Sequence, residues 1–419
     1  MFPRHLIPAL LLCTAPALAI TPTFTKITDT TPGTAISTNA YYPGPKVNNN
    51  GQVVFGAKTQ SNVGGTNAIY LGSLAGGAIT PIVDGSGAFS FASNFDIDNT
   101  GTVIFSGYPY GDAFGIYARH PNGSFSPIVQ KGGAWDVVKE PRVSGNGNIA
   151  FSAYKTDGIG GVYRTTTAGG PVTPISEDFG PLHQYYPPSV NNAGTVAFRA
   201  LDDANNWLGI YSGSGGPVTT VATNSFNTFA SSEINNAGQI GINGTFSISR
   251  WDGFAWTTLA ETFPGAYNGF SDFSVVDTFG APGIADTGLM AFGARTRSTL
   301  TPGIFIGPDA VNDKIIADGD PLFGSTLKYF AFDRGISDDG RYIAFAYELT
   351  NGASGIAVAT IPEPSAAAIL LLLPALSRFR RRQPPHTVLS GSHSDHLRNH
   401  LMPHPPAARI PLPLHRINP

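Results

Sequence analysis

The stretch Val47-Asn-Asn-Asn-Gly-Gln-Val-Val-Phe55 recurs, with variation, six more times along the chain. The further copies are IDNTGTVIF (97–105), VSGNGNIAF (143–151), VNNAGTVAF (190–198), INNAGQIGI (234–242), IADTGLMAF (284–292) and ISDDGRYIAF (336–345). Successive copies start 50, 46, 47, 44, 50 and 52 residues apart. This regular spacing indicates tandem structural units, and the repeat therefore decides the fold.

Each copy of the repeat predicts a tight hairpin turn. Asn, Asp or Ser at the first polar position bonds its side chain to the backbone two residues on, and Gly three positions later adopts a positive φ at no steric cost. The predicted turn residues are Asn48, Gly51, Asp98, Gly101, Ser144, Gly147, Asn191, Gly194, Asn235, Gly238, Gly288, Ser337 and Gly340. The acidic copies at 96–101 and 337–340 also resemble calcium loops. Their spacing matches no complete EF-type ligand set, so turn chemistry is the favoured interpretation.

Two further strand patterns follow the strand that leaves each turn. Together with the two strands that enter and leave the turn, they give each unit four strands. The first pattern is Gly-Ile-Tyr or similar, as at 115–117, and the second resembles ITPIV at 79–83. Four strands in a unit of this length are typical of a propeller blade. The sequence therefore predicts an all-β fold, a seven-bladed β-propeller of four-stranded blades.

The ends of the repeat region predict how the ring closes. The seventh unit stops after its third strand near Thr360, and Phe24-Thr-Lys-Ile27 matches the missing fourth strand. We therefore expect the N-terminal strand to complete the last blade, which removes free sheet edges. An open solenoid, which would need capping repeats, or a pair of sandwiches is the alternative.

Composition limits the classes of function. Charged residues make up 13% of the chain, and 50 Gly and 34 Pro are spread along it, as expected for short strands joined by turns. The single cysteine is Cys13, near the N-terminus, so disulfides and thiolate metal sites are excluded from the repeat domain. The repeat region is acidic and has no basic stripe, which makes nucleic acid a poor candidate partner.

Residues 1–19 have the features of a secretion signal. Arg4 precedes the apolar run 6–12, and Ala17-Leu-Ala19 forms a small-x-small cleavage pattern. We predict cleavage by signal peptidase after Ala19, with Ala17 and Ala19 as the recognised small residues, and export of the repeat domain at 20–361. A retained N-terminal anchor is the alternative.

A second targeting pattern follows the repeats. Pro362-Glu363-Pro364 precedes an apolar run at 366–376, which is shorter than the roughly 20 residues that a spanning helix needs. An arginine cluster then follows: Arg378, Arg380, Arg381 and Arg382. These three parts resemble the PEP-CTERM sorting signal of Gram-negative surface and matrix proteins. The resemblance implies that 362–382 associates transiently with the membrane and is cleaved by an exosortase, with the arginines on the cytoplasmic side.

The chain departs from that family after the arginines, because residues 383–419 follow where family signals usually stop. This segment is rich in Pro and His, and we expect it to be a disordered tail. His396, His400 and His404 are four residues apart and would share one face of a helix that could hold a metal. Pro403 and its neighbouring prolines disfavour such a helix, so no metal site is predicted.

The repeat itself resembles two known groups of proteins. The motif is similar to that of a tandem-repeat family named for NxxGxxAF and noted for variable C-terminal anchors, over residues 24–360. Through ISDDGRYIAF it also looks like the blades of TolB-type propellers. These resemblances imply a scaffold and a surface location, and they carry over no catalytic residues.

The propeller model places one residue per blade on the axis, immediately before the apolar residue that precedes each turn. These residues are Lys46, Asp96, Arg142, Ser189, Glu233, Gly283 and Gly335. Glu140, Asp333 and Arg334 lie close to them in sequence. We predict that Lys46, Asp96, Arg142, Glu233 and Arg334 form a polar channel that binds a small ligand. A hydrated pore without a ligand is the alternative.

Catalytic patterns are sparse in the repeat domain. It holds two histidines, His120 and His183, which read as surface or packing residues, and no P-loop, HExxH or CxxC motif occurs. The acidic pairs Asp202-Asp203 and Asp318/Asp320 lie in predicted loops. We therefore assign no catalytic residue and no cofactor. Aromatic residues that could stack on sugars in loops are Trp135, Trp207, Trp251, Trp256, Tyr41, Tyr42, Tyr185 and Tyr186.

The sequence thus predicts a non-enzymatic binding or structural protein at the cell surface or in the extracellular matrix. Its predicted partners are signal peptidase and an exosortase during export, and afterwards polysaccharide, such as exopolysaccharide, or other surface proteins. A secreted glycosidase or lyase on the same scaffold is the alternative, which would require carboxylates from different blades to converge at one mouth of the channel. A protein–protein scaffold is a third interpretation.

Overall fold

A computed structural model describes residues 20–29, 36–37, 44–59, 67–177, 183–185, 187–201, 207–223, 232–244, 246–262, 270–272 and 280–362. These residues form β-strands joined by turns and loops. No helix in these ranges has the length and apolar character needed to cross a membrane.

The strands of the first three blades follow β1 (Thr23–Asp29) in chain order. Blade one contains β2 (Ile36–Ser37), β3 (Lys46–Val47), β4 (Gln52–Thr59), β5 (Asn67–Ser73) and β6 (Thr80–Val83). Blade two contains β7 (Phe89–Ile97), β8 (Val103–Pro109), β9 (Gly115–Arg119) and β10 (Phe125–Gln130). Blade three contains β11 (Trp135–Val143), β12 (Asn148–Lys155), β13 (Gly160–Thr166) and β14 (Thr173–Glu177).

The remaining four blades continue the same pattern. Blade four contains β15 (His183–Tyr185), β16 (Ser189–Val190), β17 (Val196–Leu201), β18 (Trp207–Gly213) and β19 (Thr219–Thr223). Blade five contains β20 (Ser232–Ile234), β21 (Ile240–Asn243), β22 (Ser247–Trp251) and β23 (Trp256–Glu261). Blade six contains β24 (Phe270–Asp272), β25 (Gly283–Ile284), β26 (Met290–Thr296), β27 (Pro302–Phe305) and β28 (Lys314–Ala317). Blade seven contains β29 (Pro321–Leu322), β30 (Ser325–Ala331), β31 (Tyr342–Leu349) and β32 (Ser354–Thr360).

The prediction of a seven-bladed propeller is confirmed. Each blade is an antiparallel sheet whose strands follow one another from the axis outward. In the last sheet the order is β30–β31–β32–β1, and β1 pairs antiparallel with β32 from Thr23 opposite Thr360 to Asp29 opposite Gly355. The N-terminal strand therefore closes the ring and gives β32 a partner where it would otherwise present an open edge.

Each repeat motif folds into a short hairpin loop, shown here by the first copy. The Asn48 N–H donates to the Gln52 carbonyl (3.1 Å) and the Gly51 N–H donates to the Asn48 carbonyl (3.0 Å). The Asn48 Oδ1 accepts from the N–H groups of Asn50 and Gln52. Gly51 has φ of +70°, and the six other motif glycines also have positive φ. The seventh copy accommodates its extra residue by pairing the Ser337 N–H with the Tyr342 carbonyl.

The last residue of the motif anchors the apolar layer between blades. In five blades it is a fully buried Phe that lies opposite an aromatic residue of the next strand outward. These pairs are Phe55–Tyr70 (5.8 Å between ring centroids), Phe105–Tyr117 (6.2 Å), Phe151–Tyr163 (5.7 Å), Phe198–Tyr211 (5.8 Å) and Phe292–Phe305 (6.3 Å). Blade five instead places Ile242 opposite Ser249, and blade seven places Phe345 opposite Ala357.

Candidate functional site

Six of the seven axis-facing residues predicted from the sequence line one polar cavity, and in blade seven Arg334 lines it in place of Gly335. The cavity has a volume of about 100 Å³ and is bounded by residues from all seven blades. Its lining includes Lys46, Asp96, Arg142, Ser189, Glu233, Gly283 and Arg334. All five predicted ligand-site residues are therefore brought together. In blade seven the charged group is supplied by Arg334, whose backbone has φ of +53°.

A buried ion pair joins the first and last blades beside this cavity. The Lys46 Nζ lies 2.6 Å from the Asp333 Oδ2 and also donates to the Asp333 carbonyl, and both residues are at most 5% exposed. The Ala281 N–H donates to the Asp333 Oδ1 (2.9 Å). Burial acts to raise the pKa of Asp333, but Lys46, Arg334 and Arg142 hold it well below its usual range. Burial lowers the pKa of Lys46, and the charge of Asp333 opposes that shift.

Two glycines make room for the Asp333 side chain. A Cβ atom at Gly280 would collide with the Asp333 carboxylate, and one at Gly44 would lie 2.7 Å from the Asp333 nitrogen. These glycines belong to the segments before the sixth and first turns. The position of Asp333 therefore depends on residues from three blades.

A second ion pair crosses blade six. The Arg334 Nε contacts the Glu233 Oε1, so this pair links blade seven to blade five. The intervening axis residue is Gly283, where an added Cβ would collide with the Ile336 Cγ2 and lie 3.3 Å from the Arg334 carbonyl carbon. Burial raises the pKa of Glu233, and the charges of Arg334, Arg142 and Lys46 act against this rise. The absence of a side chain at Gly283 thus permits the Arg334 backbone to approach.

Arg142 is the third buried cation at the cavity. It is 5% exposed, and its Nη1 donates to the adjacent Pro141 carbonyl at 3.1 Å. Its Nε has no hydrogen-bond partner among the described residues. Glu140, two residues earlier, has φ of +59° and does not line the cavity. Burial raises the pKa of Glu140, and Lys139, Arg142 and Arg334 oppose this rise.

Asp96 and Ser189 bind the backbone of the following blade. The Asp96 Oδ2 accepts from the Val143 N–H (3.0 Å), and the Ser189 Oγ accepts from the Ile234 N–H (3.0 Å). Asp96 also accepts from the Ile97 N–H through its Oδ1. These two side chains therefore position neighbouring inner strands as well as lining the cavity.

The seven repeat turns meet at one end of the cavity, and we call them the turn ring (48–51, 98–101, 144–147, 191–194, 235–238, 285–288 and 337–340). Each turn bonds to the next around the circle. The bonds are Asn49 N–H to Asn99 Oδ1 (3.0 Å), Asn99 N–H to Gly145 O (3.0 Å), Asn146 N–H to Asn192 Oδ1 (2.9 Å), Asn192 N–H to Asn236 Oδ1 (2.7 Å), Asn236 N–H to Asp286 Oδ1 (2.9 Å), Asp286 N–H to Asp338 O (2.7 Å) and Asp339 N–H to Asn49 Oδ1 (3.0 Å).

In the turn ring, the second polar position of the motif (Asn49 in the first copy) has a role that was not predicted from the sequence. The turn pattern predicted from the sequence involves only the first polar residue and the glycine of each turn. The second position is Asn or Asp in six of the seven copies, and these side chains link turns around the axis. The frequency of Asn and Asp at this position was the sequence signal from which this role could have been predicted. Its meaning depends on the closed ring, because consecutive bonded turns are 44 to 52 residues apart in the sequence and the closing pair is 290 residues apart.

One contact crosses the turn ring between blades that are not adjacent. The Asn99 Nδ2 of blade two donates to the Asp338 Oδ2 of blade seven at 3.0 Å. Gly145 of blade three leaves space for this contact, since a Cβ there would collide with both groups. Burial raises the pKa of Asp338 to about 6, and Asp286, Asp96 and Asp339 add to the rise while the Asn99 hydrogen bond opposes it.

Other residues singled out in the sequence lie away from the cavity. The His120 Nε2 is 2.8 Å from the Ser126 Oγ within one hairpin. Trp251 and Trp256 lie side by side on blade five, with centroids 5.5 Å apart, and Trp135 packs against Tyr163 at 4.8 Å. The Asp320 Oδ1 pairs with Lys314 at 2.9 Å. Burial raises the pKa of Asp318 to about 6, against the charge of Arg295.

Several predictions fall outside the described residues. Pro362 ends the last described range, and Ala17, Ala19, Glu363, Pro364, Arg378, Arg380, Arg381 and Arg382 lie beyond it or before residue 20. Asp202, Asp203, Tyr41, Tyr42, Tyr186 and the histidines of 383–419 are also outside, as are the side chains of His183, Tyr185 and Trp207. In the part of the chain that is described, no three His, Cys, Asp or Glu side chains are grouped to hold a metal ion.

Comparison with solved structures identifies similar propellers at low sequence identity. A prolyl endopeptidase structure matches with a TM-score of 0.50 and 11% identity, over 81% of this chain and 50% of that chain. This chain therefore spans about half the length of that endopeptidase. The propeller domain of the Trilobed protease from Pyrococcus furiosus matches with a TM-score of 0.50 and 13% identity, over 76% of this chain and 95% of that one. That domain is described as having an open velcro topology, whereas β1 pairs with β32 in this chain.

A structure assigned to TolB from Agrobacterium tumefaciens matches with 13% identity over 68% of this chain and 94% of that chain. Its TM-score of 0.40 is too low to carry an argument. No protein-family model and no curated protein sequence matches this chain. These likenesses establish the propeller fold alone, and the resemblances to PEP-CTERM signals and to the NxxGxxAF family stay predictions.

Proposed function

We propose that this chain is an exported β-propeller of the cell surface or extracellular matrix that acts as a non-enzymatic binding or structural protein. We further propose that it is processed by signal peptidase and an exosortase and associates with exopolysaccharide. The observation that carries the binding role is the axial cavity. Charged residues from six blades line one small polar space there, beside an otherwise apolar and repetitive scaffold.

The axial cavity supports a binding role because its charged groups are held in place. Lys46 and Arg334 are fixed by buried ion pairs, and the turn ring ties the seven inner strands together. A site held by packed elements orients a ligand at little entropic cost on binding. The two targeting patterns, 1–19 and 362–382, supply the argument for export and surface sorting.

The export proposal is tested by intact mass spectrometry of the full chain expressed with and without an exosortase. We expect residues 1–19 to be lost in cells with and without the exosortase. We expect the segment that follows Pro364 to be lost only in cells with the exosortase. Replacement of Arg380, Arg381 and Arg382 by Ser should leave the C-terminal mass unchanged in exosortase-positive cells. An identical C-terminal mass in both cells would contradict the sorting proposal.

The binding proposal is tested with soluble acidic and neutral polysaccharides. We expect the mature protein to retain at least one of them in affinity electrophoresis without releasing reducing sugar or unsaturated product. Retention that is unaffected by unfolding the protein would show non-specific adsorption, and turnover of any polymer would contradict the non-enzymatic assignment.

A second candidate, a secreted glycosidase or lyase, is favoured by one observation. Asp338 and Asp286, from adjacent blades, lie at the turn-ring end of the cavity, and the pKa of Asp338 is raised to about 6, mainly by burial and by Asp286. A carboxyl group with such a pKa can serve as a general acid near neutral pH. Turnover that is abolished by Asp338→Asn would establish this function.

A further inference from the structure

We propose that the axial cavity is a binding site for a small oxyanion, a carboxylate or a phosphate, held by the guanidinium of Arg142. This inference deepens the proposed binding function and rests on it. It goes beyond the polar channel predicted from sequence because it assigns the charge of the ligand and the residue that receives it.

The pairing of the cavity's charges leaves Arg142 without a carboxylate at ion-pair distance, although its charge acts through space on Glu140, Glu233 and Asp333. Lys46 is paired with Asp333, and Arg334 is paired with Glu233. Both carboxylate oxygens of Asp96 accept backbone N–H groups. Among the described residues, no carboxylate forms an ion pair with Arg142, although it is 5% exposed. A buried guanidinium is costly unless an anion or several hydrogen bonds compensate it, and an oxyanion in the adjacent cavity supplies both.

The hydrogen-bonding capacity of Arg142 fits this ligand. A guanidinium carries five N–H donors in a planar fork that matches the two oxygens of a carboxylate or phosphate. The one hydrogen bond that Arg142 makes is from Nη1 to the Pro141 carbonyl, and Nε is buried without a partner. Arg142 is among the residues that line the cavity, so its guanidinium is the group to which we assign the ligand.

The size of the cavity limits the ligand. A volume of about 100 Å³ holds several water molecules or one small oxyanion. The ligand is therefore a free small anion or a single anionic substituent that projects from a larger molecule. Asp96, Asp286 and Asp338 also line the cavity, so a singly charged anion, a carboxylate or a phosphate monoanion, is expected to bind better than a doubly charged one.

The test measures thermal unfolding of the full mature protein at constant ionic strength with added acetate, glucuronate or inorganic phosphate, each against chloride. We expect at least one oxyanion to raise Tm in a concentration-dependent manner, and isothermal titration calorimetry to give one site per chain. A response to acetate and glucuronate identifies a carboxylate ligand, and a response to phosphate alone identifies a phosphate ligand. No rise in the wild-type Tm with any of the three would overturn the proposal.

Variants locate the site. Arg142→Gln removes the charge but keeps a side chain that can hydrogen-bond, and it should weaken oxyanion binding at least tenfold. The matched control is Lys131→Gln, a surface cation that is 56% exposed and should bind like the wild type.

Equal oxyanion affinity in the Arg142→Gln variant and the wild type would refute the assignment to Arg142, and Arg142→Lys serves the same comparison if the Gln variant does not fold. Polysaccharide binding that persists in a wild type without oxyanion binding would leave the proposed function intact and remove only this inference.

Discussion

The layer between blades and the propeller axis are built from the same repeat but use it in opposite ways. Between blades, equivalent positions carry the same kind of residue, as in the buried Phe105, Phe151 and Phe198. On the axis, equivalent positions carry Lys46, Asp96, Arg142, Ser189, Glu233, Gly283 and Gly335. A position that only fills space between identical neighbours is best filled in the same way each time. A position at the centre contacts different residues in every blade, so its chemistry differs from copy to copy.

This comparison indicates where each function of the molecule lies. The repeated layer supplies stability through apolar burial, which does not depend on a particular partner. The varied axis supplies specificity, since each of its ion pairs joins blades far apart in the sequence, as Lys46 and Asp333 do.

The largest effect is expected in the repeated layer. Phe151 is fully buried and stacks on Tyr163 with centroids 5.7 Å apart, so Phe151→Ala should lower the free energy of unfolding by about 3–5 kcal/mol. Phe254 is 93% exposed, and Phe254→Ala should change it by less than about 0.5 kcal/mol. Urea unfolding followed by tryptophan fluorescence measures both. Equal losses would mean that the Phe/Tyr layer does not carry the stability.

On the axis, breaking a buried ion pair should have the next largest effect. Lys46→Met leaves the Asp333 carboxylate buried and unpaired, which should cost about 3 kcal/mol. Lys131→Met, which breaks the exposed pair with Asp136, should cost at most about 0.5 kcal/mol. The double variant K46M/D333L should recover part of the loss, because both charges are then removed. If K46M is as stable as K131M, the axial pair contributes no more than a surface pair.

The turn-ring end of the axis should respond to pH. The pKa of Asp338 is raised to about 6 from an ordinary 3.8, so the folded protein binds this proton more tightly than the unfolded chain does. The wild type should therefore lose stability as pH rises from about 4 to above 6, and Asp338→Asn should be more stable than the wild type at pH 7.5 by about 1–2 kcal/mol. Near pH 4 the two proteins should be equally stable. Parallel unfolding curves at pH 4 and 7.5 measure this, and a constant difference between the proteins at both pH values would exclude Asp338 as the titrating group.

The smallest effect is expected for substitutions at one position of the turn ring, Asn191. Asn191 accepts from Ala193 and Thr195 in its own turn and donates to the Asn235 carbonyl of the next blade at 3.1 Å. Asn191→Ala should cost about 1–2 kcal/mol, and Asn191→Ser about half of that, because Ser keeps an acceptor within the turn as Ser144 does. Thermal unfolding compares them. Equal losses for Ala and Ser would assign the whole effect to the bond between blades.

Much of the fold was predictable because its determinants are local. Val47, Asn48, Gly51 and Phe55 specify an apolar strand end, a capped turn, a positive φ and a buried anchor within nine residues, and the copies repeat that information. Closure by Phe24 was also predictable from counting strands. The departure of blade five, where Ser249 faces Ile242, was visible in the sequence as well, since its strand pattern lacks the usual Tyr.

The site was predictable only in outline. Four of its five residues could be named because a propeller places equivalent positions on its axis, and Arg334 could be named because it precedes the equivalent position Gly335. Their partners could not be named, since the Lys46–Asp333 pair joins residues 287 positions apart and requires space left by Gly44 and Gly280. The role of Asn49 and its equivalents could not be predicted either, because their partners lie in the neighbouring blade. The Asn99–Asp338 contact likewise joins different blades and needs the space left at Gly145.

By itself, the sequence determined the strands, the turns, the number of blades and the axial position of Lys46, Asp96, Arg142, Glu233 and Arg334. These depend on short-range chemistry and on repetition. Which charges are paired, and that Arg142 is buried with no described carboxylate at ion-pair distance, became known from the folded structure. The physical reason is that electrostatic interactions at the axis depend on distances of a few ångströms between residues of different blades, and these distances are set when the ring closes.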